Sequence, residues 1–344
     1  MIPQEKSAAV ARALRQAFGV NDFEEIHQLT GGEGLNPVFR IVVRGSAFLL
    51  RINTRAGDLA RHYTCMKAAA EAGLAPHVWY TSEEERLSIT DFVHVKPFPL
   101  TEALTRIPNA LRILHALPPF RAQAQHLNTS CTFLLNKEAA VNGFIQKIQS
   151  ADLFPQAVSE ELFIRYAQVA AVYPHHPPDM VSSHNDLFKP DNILFDGERI
   201  WLVDWEAAFL NDRYADLAVV ANLIVRSDDE ERVYLREYFG GPPGEYERAR
   251  FFLMRQMAHI FYALVFLWLG SSGNPIDWSE SAPQYNDLHR RIWVGEINLR
   301  DKETKVAFGR VHCEQLLRNT RQRRFDEALK IVSDRHAALR VDDV

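Results

Sequence analysis

The stretch "HNDLFKPDNILFDGERIWLVDWE", residues 184–206, decides how this chain is read. Two short apolar runs, Ile193 to Phe195 and Ile200 to Val203, flank Asp196-Gly197, a pattern that specifies a β-hairpin with a tight turn. Polar groups crowd its outer ends: His184, Asp186, Lys189, Asp191 and Asn192 precede the first strand, and Asp204 and Glu206 close the second. Antiparallel pairing brings those ends together, so Asp186, Asn192 and Asp204 are expected at one end of a buried hairpin.

An amide and two carboxylates gathered in this way suit a particular chemistry. Phosphoryl transfer needs divalent cations held by oxygen ligands against phosphates, and a carboxylate that orients the attacking hydroxyl. Asp186, Asn192 and Asp204 supply that set.

Composition limits the alternatives. With 344 residues, 47% hydrophobic and 24% charged, the chain reads as a globular protein large enough for two lobes, which excludes disordered and fibrous classes. A net charge of -5 gives no global attraction to nucleic acid, and the locally basic "RNTRQRR" from Arg318 to Arg324 reads as a solvated helix face. Cys65, Cys131 and Cys313 are odd in number and far apart, which fits a reducing compartment better than disulfides or a zinc site. The opening "MIPQEKSAAVARALRQAFGV" carries charges throughout and lacks the pattern of an export signal, so a cytoplasmic location is expected. "FFLMRQMAHIFYALVFLWLG" is interrupted by Arg255, Gln256 and His259, which leaves too short a run to span a bilayer and predicts a buried helix.

Two regimes follow along the chain. Between Phe23 and Val95 the pattern is strand-like: Val38–Val43 and Ala47–Ile52 form a hairpin around Arg44-Gly45-Ser46, a helix covers about Ala56 to Ala72, and "HVWYTS" and "RLSITDFV" form two further strands. Beyond Pro97-Phe98-Pro99 the chain turns helical, over "TEALTRIPNALRILHAL", over Lys137 to Val172, and again after Phe209. The expected fold is α+β and two-lobed, with a β-rich lobe over 1–95 and a mainly helical lobe over 96–344 that contains the single hairpin at 193–203.

"HNDLFKPDNILFDG", followed by "WLVDWE" and "NDRYADLA", resembles the catalytic core of the aminoglycoside phosphotransferase and choline/ethanolamine kinase superfamily, small-molecule relatives of the protein kinases. The resemblance runs from the glycine-bearing turn near Gly31 to the helix near Tyr262, and the choline kinase-like branch is the nearest. It implies a protein-kinase-like fold and transfer of the ATP γ-phosphate, with magnesium, to a hydroxyl of a choline- or ethanolamine-like amino alcohol. An aminoglycoside or other sugar-like acceptor is the alternative. His184 and Asp186 match the catalytic-loop His-x-Asp, Asn192 the metal-binding Asn, Asp204 the second metal-binding Asp, and Asp216 an Asp that braces the loop. Five residues separate Asp186 from Asn192 where the usual spacing is four. Either the loop bulges or Asp191 takes part of the metal role, and the bulge is preferred because Asn192 directly precedes "ILF".

In the small lobe, Gly31, Gly32 and Gly34 fit a turn lying over nucleotide phosphates, Arg51 stands at the phosphate-pairing position, and backbone around Asp91 to Val93 is expected to meet adenine. The acid expected to pair with Arg51 falls at about His62, where no Glu stands; Asp58 and Glu71 are the nearest acids. For the acceptor, Glu206, His259 and Tyr262 are the candidates, with His259 and Tyr262 on one face of an aromatic helix that core packing explains equally well. Val265 and Ala207 replace aromatics of the choline pocket, so the cage is incomplete. His175 and His176 have no metal-ligand partners at useful spacing and receive no role. A nucleotide-binding pseudokinase and a nucleic-acid-binding module rank below the kinase, because the base and metal ligands are all present and no aromatic stacking motif accompanies the basic segment.

Overall fold

The computed structural model describes residues 2–29, 36–54, 57–120, 145–146, 148–151, 153–174, 180–272, 274–279 and 281–342. Strands β1 (Glu25–Gln28), β2 (Val38–Val43), β3 (Ser46–Ile52), β4 (Val78–Ser82) and β5 (Leu87–Asp91) form an antiparallel sheet in the order β1-β2-β3-β5-β4. Val43 pairs with Ser46, so β2 and β3 are joined by two residues, one fewer than the sequence suggests. Arg44 and Gly45 have φ of 50° and 75°, the two left-handed residues that a turn matched to strand twist requires. Helix α1 (Ser7–Phe18) lays Ala9, Val10, Ala13 and Leu14 against Phe39, Ile41, Leu50 and Ile89, and these side chains form a core of their own.

Helix α2 (Leu59–Glu71) begins at Asp58, whose side chain accepts the Arg61 amide as an N-cap. Its buried Leu59, Tyr63, Cys65, Met66 and Ala69 belong to the core of the large lobe, so α2 couples the lobes. The chain crosses over a short segment. The Phe92 amide still donates to Ala47 in the small sheet (3.4 Å), whereas the Lys96 amide donates to Phe195 in the large lobe (2.7 Å).

The large lobe contains α3 (Leu100–His115), α4 (Gln156–Val172), α5 (Arg213–Ile224), α6 (Asp228–Phe239), α7 (Glu245–Ser271), α8 (Tyr285–Trp293), α9 (Lys302–Thr320) and α10 (Arg323–Asp342). The first part of the expected helix from Lys137 lies largely outside the described residues. β7 (Ile193–Phe195) and β8 (Ile200–Leu202) form the expected hairpin, with Gly197 at φ 102° in its turn. A second pair was not read from sequence: β6 (Met180–Ser183) joins β9 (Phe209–Asp212), and "MVSS" and "FLND" are too short and too polar at their ends to show strand periodicity. By length and composition α7 is apolar enough to cross a membrane, but most of it is buried, packed against α5, α9 and α10.

Candidate active site

β6 ends at Ser183, and the loop that follows is held from below. Asp216, buried on α5, accepts the backbone amides of His184 and Asn185, both at 2.8 Å, and lies 3.4 Å from His115 Nε2. Burial opposes its charge, yet the His115 ring and the His184 amide keep its pKa below the ordinary carboxylate value. Asn185 has φ 66°, a left-handed conformation that asparagine tolerates. Its Nδ2 donates to the Ala207 carbonyl (3.1 Å) and its Oδ1 accepts from Asn211 Nδ2 (2.6 Å), which ties the loop to the segment after Asp204. The His184 ring is fully buried and its Nε2 donates to the Val203 carbonyl at 2.9 Å, so it braces β8 from inside.

Those supports place Asp186 at the cleft with 3% of its surface exposed. Its Oδ2 accepts from Lys189 Nζ and from Asn192 Nδ2, each at 3.1 Å, while Asn192 Nδ2 also reaches the Asp186 carbonyl at 2.7 Å. Among the described residues no hydrogen bond reaches Oδ1. Burial, only partly offset by Lys189, pushes the Asp186 pKa up to about 7. The longer loop is absorbed by a turn at Leu187 and Phe188, with Phe188 packed on Tyr262 and Phe266 at ring distances of 5.1 and 5.6 Å. A 3-10 turn, Pro190–Asn192, then brings the buried Asn192 back to Asp186, while Asp191 stays exposed at the cavity.

Asp204 follows β8 with φ 70°, and its Oδ1 accepts from Arg51 Nη1 at 2.7 Å. Burial raises its pKa, but the Arg51 cation outweighs this and the pKa is held at about 2. Arg51 therefore reaches across the cleft to Asp204 itself, and the position expected to supply its acid is filled by His62. The imidazole of His62 is buried beside Arg51 and has its pKa lowered to about 4, chiefly by desolvation. The neighbouring Arg61 takes over the mechanical task. Its side chain is 3% exposed, Nη1 donates to the Ala208 carbonyl (2.8 Å) and Nη2 to that of Glu206 (2.9 Å), pinning α2 to the turn after Asp204. This clamp was missed; an arginine at the start of a helix among apolar positions, beside the site where an acid was expected, is its only sequence signal.

Between the lobes lies a cavity of about 260 Å³, lined by Leu49, Arg51, His62, Asp91, Val93 and Asp204 among others. Asp91 and Val93, the connector residues expected from sequence, line this cavity, whereas Gly31, Gly32 and Gly34 lie outside the described residues, as do His175 and His176. Asn192 commits Nδ2 to Asp186, and Asp204 stays ionised; the Asn192 Oδ1 and the Asp204 carboxylate are hard oxygen donors of the kind that suits magnesium. Among the described residues no cage of three or more His, Cys, Asp or Glu side chains forms, so a cation there would complete its shell from phosphate and water.

The acceptor candidates separate. Glu206 is exposed two residues beyond Asp204. His259 and Tyr262, at 0% and 2% exposure, are buried in the helical core and line no part of the cavity between the lobes. His259 Nδ1 lies 2.8 Å from His312 Nδ1, His312 Nε2 lies 3.2 Å from His289 Nε2, and His289 Nδ1 lies 2.8 Å from the Tyr285 carbonyl. The carbonyl must accept, so His289 donates from Nδ1, His312 from Nε2 and His259 from Nδ1, a directed chain of neutral rings. The core reading of this helix face therefore holds. The basic segment is likewise neutralised: Arg321 bonds Glu161 at 3.0 and 2.6 Å, Arg324 pairs with Glu231 and Asp228, and Arg323 with Glu327.

A family model described as the phosphotransferase enzyme family matches residues 25–252. No curated protein matches the chain by sequence. Among solved structures, a choline/ethanolamine kinase family protein from Mesorhizobium loti aligns with a TM-score of 0.62 at 20% identity, over 95% of this chain and 99% of that one. The choline kinase LicA from Streptococcus pneumoniae aligns with a TM-score of 0.53 at 15% identity, over 86% of this chain and 100% of that one. A spectinomycin phosphotransferase, APH(9)-Ia, solved with ADP and spectinomycin, gives 0.52 at 12% identity, over 88% and 98%. At such identities the likeness is one of fold: the two-lobed, kinase-like architecture is common to all three.

Proposed function

Because this chain belongs to the phosphotransferase enzyme family, we propose that it transfers the γ-phosphate of ATP, with magnesium, to a hydroxyl of a small-molecule alcohol. The observation that carries the reading is the convergence of three groups: Asn192 donates to Asp186, Asp186 feels the charge of Asp204, and Asp204 lines the cavity between the lobes. Asp186 Oδ1 receives the hydroxyl proton while Oδ2 is held by Lys189 and Asn192, so the carboxylate presents one oxygen in a fixed direction. Asn192 Oδ1 and the Asp204 carboxylate hold the cation. When bound, the cation neutralises charge on the phosphate oxygens. Arg51 passes from Asp204 to a nucleotide phosphate, where its planar fork makes paired hydrogen bonds. His184 positions the loop and does not take part in proton transfer, since its ring is sealed against Val203. Adenine sits against the Asp91–Val93 backbone, and the turn bearing Gly31, Gly32 and Gly34 covers the phosphates.

For the acceptor, a choline- or ethanolamine-like amino alcohol comes first, with Glu206 supplying negative charge for its cation. The burial of Tyr262 and His259 removes two members of the expected aromatic and polar pocket and favours, as second reading, an aminoglycoside or another sugar-like alcohol held by hydrogen bonds. ADP release from ATP and magnesium, measured against choline, ethanolamine, other amino alcohols, aminoglycosides and free sugars, tests both. Turnover of one class names the acceptor. Silence across the panel while ATP still binds would favour a nucleotide-binding pseudokinase.

A further inference from the structure

We propose that the helical lobe carries a second ligand site, apart from the cleft, that takes a small phosphate monoester of a hydroxyl-bearing compound. The inference goes beyond the phosphotransfer reading and does not rest on it. The site is a cavity of about 340 Å³ where the chain after α5 and the starts of α6, α8 and α10 meet α7 and α9, and it shares no lining residue with the cavity between the lobes. Its volume lies within the roughly 300–1,000 Å³ of small-molecule sites. The charges around it do not balance: the guanidinium groups of Arg226, Arg255, Arg318 and Arg324 meet only two carboxylates, Asp228 and Glu231. Arg255 takes Glu231 at 2.9 Å, and Arg324 takes Glu231 and, at 3.4 Å, Asp228, so both acids are spent. The carboxylate of Glu230 accepts the backbone amide of Arg226. Among the described residues Arg226 and Arg318 form no ion pair. Arg226 Nη2 donates to the Leu223 carbonyl, but Nη1 is buried with no hydrogen-bond partner, and burial lowers the pKa of the group. A cation so placed costs free energy until an anion meets it.

The ligand class follows from what lines the cavity. A phosphate monoester carries a charge of about −1.5 to −2 at neutral pH, which matches the two spare guanidinium groups, and its three terminal oxygens suit their forked donors. Helix α8 opens onto the cavity at Gln284, Tyr285 and Asn286 with no side chain capping its first amides, so its N-terminus adds donors and partial positive charge. Gln315 and Asn319 lie beside Arg318 on one face of α9, and Gln256 joins them from α7. Asn319 Nδ2 donates to Gln256 Oε1 at 3.0 Å, and Gln315 Nε2 donates to Asn319 Oδ1 at 2.8 Å. Gln315 Oε1 is thereby left, among the described residues, to accept a ligand hydroxyl.

The test measures binding of glycerol 3-phosphate, inorganic phosphate and succinate to the whole chain by calorimetry, with and without saturating Mg·ADP. The ester is expected to bind at one site per chain, more tightly than succinate, with the same affinity in both conditions. Arg226→Gln and Arg318→Gln should each weaken it roughly 10- to 100-fold, the loss of one charge-assisted contact. Arg323→Gln should leave it unchanged, because Arg323 pairs with Glu327 and neither lines the cavity. Arg318 is exposed, so Arg318→Gln should keep the wild-type Tm and decides alone if Arg226→Gln fails to fold. No saturable binding of the ester, its displacement by Mg·ADP, succinate binding as tightly, or wild-type affinity in Arg318→Gln would each overturn the proposal, as would equal weakening by Arg323→Gln. No step needs turnover, so a protein that transfers no phosphate still answers the question.

Discussion

Two regions of this protein bury titratable side chains, and they resolve the cost of burial in opposite ways. Around the cleft, Asp204 and Arg51 keep formal charges and meet at 2.7 Å, and Asp186, its pKa lifted by burial to about 7, still takes Lys189 at 3.1 Å. In the core of α7, α8 and α9, His259, His312 and His289 give up charge altogether: desolvation drives the first two well below the usual histidine pKa and the third to about 3. Burying an isolated charge is expensive, so a protein keeps one only when a partner or a reaction uses it. Charge retained beside an open cavity therefore marks chemistry, whereas the same residue types neutralised in a sealed chain mark architecture.

The largest effect that could break this comparison is at Asp186. Asp186→Ala is expected to lower turnover by roughly 10³-fold or more while leaving ATP affinity nearly intact, as measured by ADP release beside nucleotide titration. Residual activity near the wild-type level would move the base elsewhere. Next, Asp204→Asn should raise the magnesium concentration needed for half-maximal nucleotide binding by roughly ten- to a hundredfold, since an amide is a weaker ligand than a carboxylate. An unchanged metal titration counts against its assignment.

Arg61→Met removes the donor of the buried Ala208 carbonyl and that of the partly buried Glu206 carbonyl and should cost roughly 1–3 kcal/mol in denaturant unfolding. It should also loosen the turn after Asp204, so that turnover falls more than ATP affinity does. A stable variant with wild-type turnover would show that α2 needs no such anchor.

The histidine core sharpens the comparison through pH. All three pKa values lie below the ordinary histidine value, so above about pH 6.5 both folded and unfolded chains are neutral and the cluster contributes no pH dependence. Below about pH 6.5 the unfolded chain binds protons that the folded one refuses, and stability falls by up to about 1.4 kcal/mol per pH unit for each ring. Asp204 acts in a lower window: its depressed pKa gives stability that is present above the ordinary carboxylate value and is lost as pH falls towards about 2. Unfolding midpoints from pH 7 to 5 should decline in the wild type and decline less in His312→Gln. The smallest effect is expected at Tyr262→Phe, which should change the acceptor KM by less than about twofold because the ring is core; a tenfold change would return Tyr262 to the site.

The hairpin and its polar ends were legible because they are local: Asp196-Gly197 sets the turn, and pairing alone delivers Asp186, Asn192 and Asp204 to one place. Asp216 was legible from its motif. Partners fixed only by tertiary contact were not. Arg51 reaching Asp204 across 153 positions and Arg61 reaching Ala208 across 147 leave no pattern within a window of residues. The helix bearing His259 and Tyr262 shows the converse. Its spacing correctly put them on one face, but periodicity does not say whether that face meets a cavity or, as here, His312 and Phe308.

The central claim is that the charged cleft carries phosphoryl transfer from ATP to an alcohol with Asp186 as the proton acceptor. The most direct measurement follows the γ-phosphate itself by ³¹P NMR, with Mg·ATP and the best acceptor of the panel, in wild type and Asp186→Asn at equal concentration. The account predicts a phosphate monoester of the acceptor growing in step with ADP in the wild type, and neither in the variant. Ester formed equally by both proteins would contradict it.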